Sequence, residues 1–340
     1  MHAITIGLDI AKNVFQLHAE DAGGRVVFQK RLKRAALERF LAAHPAALIG
    51  MEACGSAHYW ARVLAAQGHE VRLMPPAYVK PYVKRNKTDA RDAEAICEAV
   101  RRPTMRFVGI KSVAQQCDRA LHRARDLLIR QRTQIMNALR AMLAEMGIVA
   151  AQGLKGFAEL MQLIGTRDRR IPEALLPSLE ALARQWHALE GESRALEARI
   201  VKRAHDDEAA RRLLALPGVG PLSAHAIVAA IGDGRQFRAG RDFAAWAGLT
   251  PRLSASGDKL RSGGISRQGD GSLRRLLVLG ARAHLRHAAT KPDKAGPWLT
   301  RLVGRRPVKV AEVAQAAKTA RIAWAMLRSG QPYRGVAVTA

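Results

Sequence analysis

The chain is organised around one short stretch, which reads Lys84-Arg85-Asn86-Lys87-Thr88-Asp89-Ala90-Arg91-Asp92. Thr88 is a favourable N-cap residue, so the stretch predicts a helix that begins directly after it. Positions three apart on a helix share a face, and Asp89 and Asp92 would therefore project to one side. Two such carboxylates suit a hard cation such as magnesium, and the surrounding lysines and arginines suit a polyanion. The combination indicates phosphodiester chemistry, and the alternative is an ordinary acidic first turn favoured by the helix dipole.

The composition favours a nucleic acid as the partner. The chain has 340 residues, of which 48% are hydrophobic, so it can form two or three domains with real cores. Lys and Arg number 56 against 29 Asp and Glu, which gives a net charge of +27 at pH 7. A surplus this large exceeds what solubility requires. It predicts binding to DNA or RNA that weakens steeply with salt.

Nothing in the sequence predicts a membrane protein. No apolar run approaches the ~18 residues of a spanning helix, and no signal peptide opens the chain. The three cysteines, Cys54, Cys97 and Cys117, contain no CxxC pair. We expect them to be reduced, buried thiols in a cytoplasmic protein.

The N-terminal part, residues 1–108, predicts an α/β domain. Alternating and apolar runs predict strands at 4–9, 13–20, 25–30, 47–52 and 70–73, with helices at 35–43 and 56–67. Three strands followed by helix, strand, helix and strand is the element order of a ribonuclease-H-like domain.

Four acidic residues fall at the ends of these elements. Asp9 ends the first strand, Glu52 ends the fourth, and Asp89 and Asp92 open the later helix. Because strand ends gather at one edge of a sheet, we expect the four carboxylates to meet. Carboxylates packed together repel unless cations neutralise them, and two Mg²⁺ ions about 3.5–4 Å apart would do so and could activate phosphodiester cleavage. The four acids are therefore predicted metal ligands and catalytic residues.

The sequence also resembles a known family in three segments, Gly7-Leu8-Asp9-Ile10-Ala11-Lys12, Met51-Glu52-Ala53-Cys54-Gly55 and Asn86-Lys87-Thr88-Asp89-Ala90-Arg91-Asp92-Ala93. They are similar to the signatures of DEDD-type transposases of the one-ten insertion-sequence family, which includes the Piv-type DNA invertases. The resemblance extends over about residues 4–333. It implies a RuvC-like N-terminal domain whose Asp-Glu-Asp-Asp set binds magnesium, and that set falls on Asp9, Glu52, Asp89 and Asp92.

The middle of the chain, residues 109–207, predicts long helices. Two heptad seams run through residues 117–142 and 179–200, each with one polar break. They predict either two core helices of a bundle or a coiled coil between subunits. Residues 147–177 show no clear period and hold the basic run Arg167-Asp168-Arg169-Arg170. We expect a connector there that lies on nucleic acid.

The C-terminal part, residues 208–335, predicts a mostly α domain with a helix-hairpin-helix-like element. Leu216-Pro217-Gly218-Val219-Gly220 precedes a predicted helix at 223–231. Gly218 and Gly220 would let backbone N–H groups approach a phosphate at the helix N-terminus, and the alternative is a plain tight turn.

A second feature of this part is a Ser/Gly-rich basic loop, which follows Gly248-Leu249-Thr250-Pro251-Arg252 and runs to Gly269. Serines in such loops are ordinarily solvated. The family resemblance implies a different role, because in the family this segment precedes a serine nucleophile. The alignment selects Ser256, with Ser254 as the competitor. Serine attack on DNA would store the bond energy in a phosphoserine link, which is consistent with the absence of a Walker A motif.

Together these observations predict a DNA transposase or recombinase with Mg²⁺ as cofactor and Ser256 as nucleophile. The resemblance implies a homo-oligomer, a dimer or tetramer with sites shared between protomers, that a bridge RNA guides to donor and target DNA. Ser256 and the four acids would have to meet through folding or across subunits. Three alternatives stay open: a Holliday-junction-type nuclease, a site-specific invertase of the same family, and a non-catalytic nucleic-acid binder. The predicted nucleic-acid contacts are Lys87, Gly218, Gly220, Arg252, Lys259, Arg267 and Arg274.

Overall fold

The computed structural model describes residues 4–84, 86, 88–257, 259–290 and 296–334. The chain divides into two compact units, Met1–Ala114 and Gln115–Ala340. Each unit has a hydrophobic core of its own. A separate middle domain at 109–207 stays a prediction. No helix within the described ranges combines the length and the apolar character that crossing a bilayer requires.

The first unit is built on a five-stranded sheet. Its elements are β1 (Ile4–Ile10), β2 (Val14–Asp21), β3 (Val26–Lys33), α1 (Arg34–Ala42), β4 (Leu48–Glu52), α2 (Ala57–Ala66), β5 (Glu70–Met74), α3 (Pro76–Val79) and α4 (Asp89–Val100). The strand order is β3-β2-β1-β4-β5, with antiparallel pairing from β3 to β1 and parallel pairing from β1 to β5. The predicted mixed α/β fold of this part is confirmed.

The core of this unit explains why these segments are strands. Leu8 and Ile49 lie on the central strands and are fully buried, as the apolar runs around them predict. Phe15 of β2 packs edge-on against Trp60 of α2, with ring centroids 5.1 Å apart. Each large apolar side chain buried in this way contributes about 1.5–3 kcal/mol to the free energy of unfolding.

The rest of the chain is helical apart from one hairpin, in agreement with the prediction. Its elements are α5 (Val113–Ala144), α6 (Leu154–Gly165), α7 (Leu176–Asp206), α8 (Glu208–Leu213), α9 (Pro221–Ile231), α10 (Gly240–Trp246), β6 (Pro251–Ser256), β7 (Lys259–Ile265), α11 (Gly271–Thr290), α12 (Pro297–Arg305) and α13 (Val308–Ser329).

The helices α5 and α7, which carry the two heptad seams, run antiparallel and pack on each other. Arg125 Nη2 lies 2.7 Å from Glu197 Oε2, and Arg132 forms an ion pair with Glu190 one turn pair further along. Their apolar residues join the segment between them in one cluster, which includes Ile135, Leu139, Leu143, Phe157, Leu160, Leu179, Leu182 and Trp186. At least part of the second seam is therefore core within the chain. A coiled coil between subunits stays a prediction.

The prediction of a connector without regular structure between the seams was wrong for Leu154–Gly165, which is the helix α6. Phe157, Leu160 and Ile164 follow one another at helical spacing and are buried. The period is hidden in the sequence because Met161 and Leu163, at intervening positions, are also apolar and pack against the same cluster. A helix that is apolar on most sides is typical of a buried position.

The prediction that all three cysteines are buried was also wrong. Cys97 is buried on α4, and burial raises the pKa of its thiol to about 12. Cys54 and Cys117 are exposed. Cys54 follows the end of β4, and Cys117 lies on the outer side of α5, where one heptad position is not covered by the chain itself.

A polar network joins α5 and α9 inside the second unit. His122 Nε2 lies 2.9 Å from His225 Nδ1, and His225 Nε2 lies 3.5 Å from Asp118 Oδ1. Burial lowers the pKa of His122 to about 4, and the charge of His225 lowers it further. Asp118 and Asp126 oppose this effect, while Arg125 adds to it. His122 is therefore neutral in the folded protein at neutral pH.

We predict that lowering the pH from 7 to 5 reduces the free energy of unfolding by about 2 kcal/mol through His122. The unfolded histidine titrates near ~6.5, so as the pH falls the unfolded state takes up the proton first. The contribution is complete above that pH and is lost towards the folded pKa of about 4. Urea midpoints at the two pH values measure it. His122→Gln, which cannot be protonated, should show a smaller pH effect, and an equal effect in both proteins would contradict the prediction.

Candidate metal centre and serine hairpin

The helix α4 begins where the sequence predicts. Thr88 has an extended backbone, and its Oγ1 accepts a hydrogen bond from the Arg91 amide at 3.3 Å, which makes it the N-cap. Asp89 and Asp92 stand in the first turn. Lys84 Nζ binds Glu94 Oε1 at 2.5 Å, and this hydrogen bond lowers the pKa of Glu94. Glu94 is thus held by a lysine, which separates it from the two aspartates.

Three of the four predicted acids come together at this helix start. Asp9, Asp89 and Asp92 each offer one carboxylate oxygen, and these atoms all lie within 4.8 Å of one another. Asp9 and Asp92 are half-buried, and Asp89 is exposed. Carboxylates this close repel each other, and a bound cation would relieve the repulsion. The arrangement can therefore bind a positive ion more readily than separate surface acids can.

The donor set fits a hard divalent cation. Carboxylate oxygens are the ligands that magnesium and calcium prefer. With Mg²⁺–oxygen bonds of about 2.1 Å, opposite ligands of an octahedral shell are about 4.2 Å apart. Three oxygens within 4.8 Å therefore need only a small closure to share one ion. The protein supplies three ligands, which leaves positions for water and substrate.

Glu52 stands at the same edge of the sheet but outside this group of three. It ends β4, the parallel neighbour of β1, and it follows Met51, the register partner of Leu8. The pKa of the Cys54 thiol is raised first by desolvation and then by the negative charges of Glu52 and Asp9. Both carboxylates are thus close enough to act on one sulfur atom, although Glu52 does not share the oxygen cluster.

Two glycines allow α4 to lie directly on the sheet. A Cβ atom on Gly7 would lie 2.0 Å from the Ala93 carbonyl oxygen, and one on Gly50 would lie 2.8 Å from Val100 Cβ. The close approach brings the first turn of α4 to the end of β1, where Asp9 stands. The sequence contains the signal, because each glycine precedes a strand-end acid by two residues. Sequence reasoning did not assign it this role.

We predict that Gly7→Ala separates α4 from β1 and destabilises the first unit by about 3 kcal/mol, the upper end for overpacking, since the clash is with backbone. The measurement is the urea midpoint, together with calorimetric titration of Mg²⁺, whose affinity should fall. Gly55→Ala is the matched control, because nothing lies within 4 Å of the added Cβ. Equal stability and Mg²⁺ affinity in the two variants would contradict this account of Gly7.

The predicted Ser/Gly-rich loop is instead a β-hairpin over most of its length. β6 (Pro251–Ser256) pairs antiparallel with β7 (Lys259–Ile265), and Gly257 in the turn has a φ of +54°. Every residue of β6 is exposed. The strand therefore lacks the alternation of apolar and polar residues by which a sequence predicts a half-buried strand.

The hairpin aligns both candidate serines with two cations. Ser256 pairs with Lys259, and Ser254 pairs with Arg261. Directly opposed residues share a face of the sheet, as do residues two apart along a strand. All four side chains therefore belong to one face. Sequence reasoning missed Arg261, which symmetric spacing around Gly257 could have indicated. Within the described part of the chain, neither serine hydroxyl has a hydrogen-bond partner.

The remaining predicted contact residues differ in their surroundings. Lys259 and Arg267 are exposed. Arg252 donates to the Ser266 carbonyl at 3.1 Å, and Arg274 donates to the Ala247 and Gln268 carbonyls at 3.1 and 2.6 Å. These two arginines thus hold the backbone around the hairpin. Lys87 lies outside the described residues.

The helix-hairpin-helix-like element is formed by α8 and α9. Gly218, in its turn, has a φ of +80° and packs against α11, where a Cβ on Gly280 would lie 1.9 Å from the Gly218 carbonyl oxygen. Gly220 is the N-cap of α9 and has open space around it. The structure thus gives Gly218 a packing role within the chain. Phosphate binding by this element stays a prediction.

Two family models match the chain. A model of the DEDD type of IS110 proteins, described as "Transposase", matches residues 6–148. A second, described as "Transposase IS116/IS110/IS902 family", matches residues 210–295. The first spans the three carboxylates, and the second spans the serine hairpin.

Similar proteins are known from several bacteria. A Pseudomonas aeruginosa protein named "Probable family 20 transposase" is 48% identical over 338 residues, which cover 98% of this chain and 99% of the relative. A Coxiella burnetii protein named "Transposase for insertion sequence element IS1111A" is 41% identical over 334 residues, 97% of this chain and 91% of the relative. A Yersinia enterocolitica protein named "Transposase for insertion sequence element IS1328" is 38% identical over 325 residues, 96% and 97% of the two chains.

The resemblance predicted from three short segments is thus confirmed over nearly the whole length. The carboxylate cluster, the paired serine hairpin and the two family matches agree in their positions along the sequence. The chain belongs to the IS110/IS116/IS902 family of DEDD transposases.

Proposed function

We propose that this chain cuts and exchanges DNA strands, with Mg²⁺ held by Asp9, Glu52, Asp89 and Asp92 and with Ser256 as the nucleophile. The observation that carries the proposal is the gathering of three carboxylates within 4.8 Å in a member of this family. When bound, the metal neutralises these acids and stabilises the charge that develops on the scissile phosphate. Glu52, at the same sheet edge, would join the set after a change of side-chain rotamer.

The serine step conserves the phosphodiester bond energy. Ser256 Oγ forms a bond to the DNA phosphorus, the bond from phosphorus to one deoxyribose oxygen breaks, and that oxygen leaves as a hydroxyl after taking up a proton. A hydroxyl of another strand later reverses the step and frees the serine. Lys259 and Arg261, on the same face of the hairpin, would hold the negative phosphate. No base lies beside Ser256 within the hairpin, so the group that accepts its proton comes from elsewhere.

We further propose that the first unit is a ribonuclease-H-like domain of the RuvC type. Support comes from its strand order, with three antiparallel strands followed by two parallel ones, and from acids at the ends of β1 and β4. A homo-oligomer and a guide RNA belong to the same proposal. Light scattering tests the first, and sequencing of the RNA that co-purifies with the chain tests the second.

A suicide substrate tests the central proposal. The probe is a duplex with the ends of the element that encodes this chain, nicked close to the exchange point, so that the leaving strand diffuses away. With Mg²⁺ the wild type should form a DNA–protein adduct that survives denaturant, and EDTA should prevent it. Metal-dependent nicking without an adduct would mean a nuclease that uses water. Binding without nicking, under all metals tried, would mean a non-catalytic binder.

A further inference from the structure

A groove in the second unit combines positive charge with two indole rings. It has a volume of about 560 Å³ and lies between the start of α10 and the helices α12 and α13. Arg241, Lys318 and Arg321 contribute the charges, and Trp298 and Trp324 contribute the rings. Ligand clefts in proteins measure about 300–1,000 Å³, so the groove can accept groups of nucleotide size.

The described part of the chain does not neutralise these cations. None of the described lining residues is acidic, and none of the three cations forms an ion pair with a described carboxylate. On the same helix, Glu312 is buried and already binds Arg282 at 3.0 Å and Lys309 at 3.3 Å. Burial, and then the charge of Arg321, lower the pKa of Lys318. Like charges are thus close together here, which favours an anionic ligand.

The two rings are held in place and are each partly exposed. Trp324 Nε1 donates to the Gly234 carbonyl at 3.0 Å, and a Cβ on Gly234 would lie 2.9 Å from this indole. Lys318 Nζ lies 4.1 Å from the centroid of the Trp298 ring. Both tryptophans are half-buried. Planar bases stack on such rings whatever their sequence, and cations beside the rings follow the phosphates.

We propose that this groove binds a single-stranded stretch of nucleic acid, with bases stacked on Trp298 and Trp324 and phosphates on Arg241, Lys318 and Arg321. A duplex would engage only the cations, because its bases are stacked on each other. In taking nucleic acid as the ligand, we rely on the proposed function. The strand could be RNA or a displaced strand of DNA, since both present bases and phosphates.

The test uses the full-length chain and single-stranded 15-nucleotide probes, one of RNA and one of DNA, that carry 5-iodouracil. Ultraviolet cross-linking and peptide mapping should place the probe on Trp298 or Trp324. Fluorescence anisotropy should show about a tenfold loss of affinity in Trp298→Leu, with part of it recovered in Trp298→Phe. A duplex of the same sequence should be much less sensitive to Trp298→Leu.

A matched pair of charge variants separates local contacts from overall charge. Lys318→Gln combined with Arg321→Gln should reduce the slope of log affinity against log salt by about 1.4, since each phosphate contact on a single strand contributes about 0.7. Arg184→Gln combined with Arg199→Gln removes the same charge from exposed positions on α7 and should change the slope much less. These charge variants alter exposed or half-buried residues, so they remain informative if Trp298→Leu does not fold.

The result also identifies the strand. A loss confined to the RNA probe would assign the groove to RNA, a loss confined to the DNA probe would assign it to a displaced DNA strand, and an equal loss would assign it to either. Absence of cross-links, together with equal slopes in the two charge variants, would overturn the proposal. The cross-link should persist in Ser256→Ala, so a failure of the nucleophile and a failure of the groove can be told apart.

Discussion

Replacing Ser256 with alanine should abolish the covalent DNA adduct and reduce strand exchange by roughly 10⁴- to 10⁶-fold, the range seen when an enzyme loses its nucleophile. The substitution removes one oxygen atom from an exposed strand position. The fold and the affinity for DNA should therefore hardly change. Ser256→Cys should keep a trace of activity, because a thiol is also a nucleophile.

Ser254→Ala is the matched control for this experiment. Ser254 lies two residues away on the same face of the hairpin, and Arg261 is opposite it as Lys259 is opposite Ser256. The nicked substrate should form its adduct with Ser254→Ala but not with Ser256→Ala, and peptide mapping should find the DNA on Ser256. An adduct on Ser254 would show that the loop alignment is wrong by two residues. Full exchange by Ser256→Ala would remove the serine from the mechanism.

Replacing Asp92 with asparagine should reduce strand exchange by roughly 10³-fold or more, because it removes a charged ligand from the proposed metal centre. Its oxygen lies within 4.8 Å of those of Asp9 and Asp89, so the loss of one charge weakens the attraction for a divalent cation. DNA binding at moderate salt should survive, since backbone contacts by lysine and arginine dominate the affinity. Calorimetric titration with Mg²⁺ should show weaker binding in the absence of DNA.

Glu94→Gln is the control for the metal centre. It removes one negative charge from the same helix, but from a carboxylate that Lys84 holds at 2.5 Å. It should leave Mg²⁺ affinity and strand exchange nearly unchanged. Normal exchange by Asp92→Asn at ordinary Mg²⁺ concentrations would contradict the four-carboxylate site, whereas equal losses in both variants would indicate an unspecific effect of charge.

Local sequence signals were sufficient for the architecture of the first unit. Strand periodicity predicted the order of its sheet elements, and the N-cap preference of Thr88 predicted the start of α4. Both signals act over a few residues, so they can be seen without knowledge of the fold. The serine region was different, because β6 is exposed on both faces and its pairing with β7 leaves no apolar pattern in the sequence.

The sequence by itself determined the positively charged, two-part chain, the α/β order of its beginning, the helical remainder and the family to which it belongs. Only the tertiary structure decided which carboxylates share a cluster and which cations accompany the serines. Asp9 is eighty residues from Asp89, and their approach depends on Gly7 leaving room for the backbone of α4. The groove around Trp298 likewise depends on contacts between α10, α12 and α13. Such distances are set by packing, which short-range patterns do not record.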